Sequence, residues 1–114
     1  MNPHDVPSAA QLVESVREWL QTDVLESTEG RLQYHTRVAI NVLSIVEREL
    51  ALGADQQAAH AARLSSLGVA DDAELSAAIR SGALDDRLDE VRELVWQSVC
   101  DKLAVANPKY LATP

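Results

Sequence analysis

The chain has 114 residues, with 10 Lys and Arg against 18 Asp and Glu, a formal net charge of −8 and an isoelectric point near 4.7. That length suits one domain, and 46% hydrophobic against 25% charged residues excludes a disordered chain. The acidic balance argues against broad nucleic-acid binding, because the body of the protein repels the phosphates whose neutralisation supplies most of such affinity.

No apolar run approaches the ~20 residues needed to cross a bilayer, and the opening MNPHDVPSAAQ lacks the charged-then-apolar layout of a secretory signal. A cytoplasmic location is therefore expected. The single Cys100 excludes an internal disulfide and a cysteine-based zinc site, and its place off the main apolar stripe makes it a half-buried small hydrophobe. The apolar content lies in 15 Leu, 12 Val, 3 Ile and 17 Ala, with no Phe, which favours closely approaching helices.

Periodicity predicts an all-α, single-domain bundle of four to five helices over residues 1–114. The first helix is expected at about 8–26. Ser8-x-x-Gln11 has the form of a capping box, and Leu12, Val13, Val16, Trp19 and Leu20 build one apolar stripe. Ser27, Thr28 and Gly30 break the pattern, with Thr28 a candidate cap for the second helix.

That second helix is expected at about 29–52. It aligns Leu32, Ala39, Leu43, Val46 and Leu50, flanked by Tyr34, Val38, Val42 and Ile45, over about half its circumference, so it is the candidate central element. Gly53 is the natural left-handed stop. A short third helix at about 55–67, mostly Ala with Leu64 and Leu67, is expected to pack at the periphery and to end at Gly68. Asp71-x-x-Glu74 opens a helix at about 72–81 that ends at Gly82. The last long helix, about 84–106, lines up Leu84, Leu88, Val91, Val95, Val99 and Ala106 and ends before Pro108, which disfavours helical backbone in the preceding residue.

Candidate chemistry sits where polar residues fall on apolar faces. His35 lies in the middle of the second helix's arc, where it either bonds a buried partner as a structural histidine or serves as a ligand or catalytic group. Arg31, one turn earlier, reaches the same place; Arg37 points elsewhere, and Asn41 lies at the arc's edge. Lys102 falls within the stripe of the last helix. It either snorkels outwards to the last carbonyls or pairs with a carboxylate such as Glu29 or Asp101. Asp101 itself is expected to be solvated or ion-paired. His4, His35 and His60 are scattered and make no metal-ligand spacing. No phosphate loop and no nucleophile elbow occurs.

The segments Glu29-Gly30-Arg31-Leu32-x-Tyr34-His35-x-Arg37-Val38-Ala39-x-Asn41, Ile45-Val46-Glu47-Arg48-Glu49-Leu50-x-Leu52-Gly53 and Asp101-Lys102-Leu103-x-x-x-Asn107-Pro108-x-Tyr110 resemble those of an uncharacterised bacterial family of short all-helical domains. The opening Pro3-His4-Asp5-x-Pro7 through Trp19-Leu20 also fits. Members of that family stand alone or are joined to kinase-like proteins of the aminoglycoside-phosphotransferase type, often in the setting of acyl-CoA dehydrogenases.

The resemblance implies a helical accessory protein of acyl-CoA or fatty-acid metabolism, with a polar signature at Arg31, His35, Arg37, Asn41, Asp101, Lys102, Asn107 and Tyr110. It implies no cofactor, and it extends no phosphotransferase activity to these 114 residues.

Three functions are expected in turn. The first is a non-enzymatic interaction module for a kinase-like or acyl-CoA dehydrogenase partner, with Ile40 and Trp96 contributing to a partner or self-association surface. The second is a binder of a small anionic metabolite or acyl-CoA, using a pocket near Arg31, His35 and Lys102. The third, an enzyme with His35 as general base, lacks a matched acid and a defined cleft.

Overall fold

The computed structural model describes residues 6–112, all of whose regular structure is helical. Five α-helices occur among them: α1 (Ala9–Trp19), α2 (Gly30–Ser66), α3 (Asp72–Ser81), α4 (Leu88–Ala106) and α5 (Lys109–Ala112). The all-α class agrees with the periodicity; several boundaries do not. His4 and its neighbours lie outside the described residues.

The helices belong to two compact units, one up to Leu52 and one from Gly53 onward, so α2 contributes Gly30–Leu52 to the first and Gly53–Ser66 to the second. The expected stop at Gly53, and with it a separate helix beginning at Asp55, is not found. A glycine inside a helix costs about 1 kcal/mol relative to alanine. Ala51, Leu52 and Ala54 beside it are strong helix formers, and its backbone does not take the positive φ of a left-handed stop.

In the first unit the Ser8 capping box forms as expected: Ser8 Oγ accepts from the Gln11 N–H at 3.1 Å, and Gln11 Oε1 accepts from the Ser8 N–H at 2.8 Å. The α-helix ends at Trp19, and the next turn, Leu20–Val24, widens to π-helical bonding, with Leu25 N–H donating to Leu20 O at 2.8 Å. Thr28 does not cap α2. Its hydroxyl turns back onto Val24 O at 2.8 Å, while the Gln33 amide donates to Leu25 O and Thr28 O and closes the loop from the other side. Gly30 supplies the positive φ, +59°, at which the chain turns into α2.

The two helices of this unit are joined by an Arg17 to Glu47 ion pair, which raises the Arg17 pKa chiefly through that hydrogen bond. Val13 and Leu20 on α1 and Ala39, Ile40, Leu43 and Val46 on α2 are half-buried. Ile45 is half-buried too, but much of both expected stripes is turned outward: Leu12, Val16 and Trp19 on α1, and Leu32, Tyr34, Val38, Val42 and Leu50 on α2, are all exposed. Within this unit the buried residue of α2 is Thr36, whose hydroxyl donates to Leu32 O at 2.8 Å.

The second unit holds the core, made by Leu64 from the end of α2, Leu67 from the turn after it, Leu75 from α3, Leu84 from the connection and Val91 from α4, with Val69, Ala78 and Leu94 against them. The stretch expected at the periphery is thus central, because its two leucines are where α2, α3 and α4 can meet. Two glycines make this geometry possible. Gly68 (φ +76°) and Gly82 (φ +84°) each end a helix with paired reverse bonds, Val69 N–H to Leu64 O and Gly68 N–H to Ser65 O in one case, Ala83 N–H to Ala78 O and Gly82 N–H to Ile79 O in the other.

Asp71 caps α3 by accepting from Glu74 N–H at 2.8 Å, as the sequence predicts. The last helix is preceded by a 3₁₀ turn, Asp85–Arg87, rather than beginning at Leu84. Leu88, Val95 and Val99 of its expected stripe stay exposed. Cys100 is half-buried, as expected.

Removing buried methyl groups leaves a cavity as well as losing transfer energy, so Leu64→Ala is expected to destabilise the protein by about 2–4 kcal/mol in urea unfolding monitored by circular dichroism. Gly68→Ala is expected to cost about 1–2 kcal/mol although its new Cβ meets no atom within 4 Å, because the loss comes from backbone conformation alone.

Candidate functional site

The eight residues singled out in the sequence divide four and four between the units. On α2, the Arg31 Nε–H donates to His35 Nε2 at 3.4 Å, and the Tyr34 ring meets the His35 ring edge-on at 5.5 Å. All three are exposed, so His35 is not the histidine of an apolar seam. The buried side of α2 in this unit runs through Thr36, Ala39, Ile40 and Leu43, and His35 lies off it. Arg37 and Asn41 are also exposed. At 100° per residue they are centred about 120° around the helix from Arg31 and His35.

In the second unit Asp101 is half-buried and ion-paired, one of its two expected environments, with Arg63 at 3.0 Å; its backbone carbonyl accepts from the Gln56 amide at 2.8 Å. Lys102 is exposed. Asn107 N–H donates to Leu103 O and ends α4, and Asn107 O accepts from Tyr110 N–H, so these two are joined through backbone, with the Tyr110 ring 68% exposed.

The most connected polar group of the second unit was missed by sequence reasoning. His60 Nδ1 lies 2.7 Å from Ser98 Oγ, and His60 Nε2 lies 2.7 Å from Asp72 Oδ1. The Arg63 guanidinium donates to Ser98 Oγ at 2.9 Å and to Asp101 Oδ2 at 3.0 Å. The signal was present in spacing: Gln56, His60 and Arg63 recur at intervals of four and three along an otherwise Ala-rich helix, and Ser98 and Asp101 at an interval of three on the last one. Each set lines one side of its helix.

Beside this network a small apolar cleft is lined by Leu64, Leu67, Leu75, Leu94 and Val95, with His60, Arg63 and Ser98 at its polar side. Its interior, about 10 Å³ to the centres of water-sized molecules, has room for about one water.

Elsewhere in the unit Arg87 grips Glu90 with two hydrogen bonds, at 2.8 and 2.9 Å, and donates to Ser66 O at the end of α2. The hydrogen bond from Arg87 holds the Glu90 carboxyl below its usual pKa. A carboxylate depressed in the folded state adds stability above its unfolded pKa and loses it as pH falls through the folded value. Among the described residues no three of His, Cys, Asp and Glu are placed to hold one metal ion, and no helix is long and apolar enough to cross a membrane.

The described residues thus form an all-helical protein with one apolar core, one histidine-centred polar network and a large uncovered apolar surface. Residues 26–110 match the model of the domain of unknown function DUF6285, and the chain belongs to that family. No curated protein and no solved structure matches it.

The Arg63 to Asp101 pair is largely shielded from solvent, at 17% and 33% exposure, and shares Ser98. A double-mutant cycle of Arg63→Met and Asp101→Asn is expected to return a coupling of about 1 kcal/mol in unfolding free energy, at the upper end of exposed ion pairs.

Proposed function

We propose that this chain is an accessory module that docks onto a kinase-like or acyl-CoA dehydrogenase protein of bacterial acyl-CoA metabolism, in the cytoplasm. The observation that carries the reading is the uncovered apolar surface of the first unit: Leu12, Val16, Trp19, Leu32, Tyr34, Val38 and Val42 are 43–62% exposed. Surfaces of this kind mark interaction sites when many apolar residues are left out together rather than singly.

The magnitudes support a partner. Covering the exposed half of seven such side chains is worth about 5–10 kcal/mol at 1.5–3 kcal/mol for each full burial. Association costs about 4–15 kcal/mol in lost freedom. The gain from this chain alone is of the same size as the cost, and the partner's own apolar surface supplies the surplus. The resemblance to chains joined to aminoglycoside-phosphotransferase-type kinases supplies the partner class.

A second reading, a binder of small anionic metabolites, draws on the Arg31 and His35 contact, which sets two nitrogen-bearing side chains side by side in an acidic protein. Thermal unfolding in the presence of acyl-CoA thioesters separates the two. A rise in Tm abolished by Arg31→Ala supports the second reading, and no shift removes it.

For the first reading, the tagged chain is expected to co-elute from its native host with a kinase-like or acyl-CoA dehydrogenase protein. Trp19→Glu and Val38→Glu should each lower recovery at least tenfold while leaving helicity intact. A chain that stays monomeric in light scattering and recovers neither partner overturns it.

A further inference from the structure

The histidine-centred network has a direction, and the direction is that of a nucleophile with its base. We propose that Ser98, His60 and Asp72 form a relay that takes a small acyl group from an activated ester or thioester onto the Ser98 hydroxyl. Nothing in this proposal depends on the docking surface of the first unit; all of its residues lie from Gly53 onward.

Proton positions are set by what each partner can do. A carboxylate only accepts, so the contact between Asp72 Oδ1 and His60 Nε2 places the ring proton on Nε2. Nδ1 of the neutral ring is then an acceptor, and the 2.7 Å contact with Ser98 is a hydroxyl donating to it. A guanidinium only donates, so Arg63 occupies a lone pair of Ser98 Oγ at 2.9 Å and leaves its hydrogen free to point at His60. With a neutral ring the three contacts share one arrangement: serine O–H towards a basic nitrogen whose far side is oriented by a carboxylate. Arg63, itself held by Asp101, fixes the position of the Ser98 oxygen.

Exposure favours chemistry over a structural clamp. The Asp72 side chain is 79% and that of His60 37% exposed, and a polar contact so open to water contributes little to stability. Ser98 borders the apolar cleft between Leu64, Leu67, Leu75, Leu94 and Val95.

In the step itself, Ser98 Oγ bonds to the acyl carbonyl carbon while its proton passes to His60 Nδ1. The bond from that carbon to the leaving oxygen or sulfur breaks, and the leaving group departs with the proton from Nδ1. The products are acyl-Ser98 and a free alcohol or thiol. Water repeats the sequence: one of its protons goes to Nδ1, its oxygen bonds to the carbonyl carbon, and the ester breaks to release the acid and restore the Ser98 hydroxyl.

The test exposes the whole folded chain to p-nitrophenyl acetate, follows p-nitrophenolate release, and maps acetylated residues by peptide mass spectrometry. Acetyl-Ser98 is expected, with release at least tenfold above Ser98→Ala, and His60→Gln is expected to lower the rate about a hundredfold, the usual lower bound for a positioned general base. Acetyl groups on lysine, tyrosine or the amino terminus with none on Ser98 overturn the proposal on the wild-type chain alone. So does a His60→Gln chain of unchanged helicity that labels Ser98 at the wild-type rate.

Discussion

Helical continuity through Gly53 is the constraint on which the rest of the structure depends. A break there would have reset the helical phase of everything after it. Because α2 runs on to Ser66, the spacing of Gln56, His60 and Arg63 becomes one polar line, and Leu64 in its last turn, with Leu67 just beyond it, becomes the centre of the core. The cost of an interior glycine, about 1 kcal/mol, is small beside the burial of two leucines at roughly 1.5–3 kcal/mol each. Packing beyond the glycine therefore outweighs the local preference for a stop.

The two compact units handle their apolar residues differently. From Gly53 onward, Leu64, Leu67, Leu75, Leu84 and Val91 are withdrawn from water, helped by glycine stops at Gly68 and Gly82 that turn each helix sharply enough for the next to pack against it. Up to Leu52, two helices meet through a narrow strip of half-buried aliphatics and one ion pair, and their larger side chains point outward. Two helices have only one mutual face, and once Thr36 and Leu43 occupy it, Tyr34, Val38 and Val42 have no element of that unit to cover them.

The polar residues divide in the same way. Where a core exists, polar side chains at its edge are drawn into mutual hydrogen bonds, as His60, Ser98, Arg63 and Asp101 are. Where no core forms, Arg31, His35, Arg37 and Asn41 stay in water. The resemblance to a helical family points to the second set, whereas the geometry concentrates hydrogen bonding in a set containing only Asp101 of the eight.

Local physical chemistry was sufficient for everything that depends on a few consecutive residues. The all-helical class, the Ser8 and Asp71 caps, the glycine stops at Gly68 and Gly82 and the end of α4 before Pro108 could all be read from the order of residues alone. Which side of each helix would be buried could not. α2 carries apolar residues around half its circumference, and a stripe that wide fits a neighbour at several rotations. In the first unit only the packing of α1 chose among them, placing Leu43 inward and Val42 outward; in the second, packing put His60 within reach of Ser98, 38 positions away in the chain.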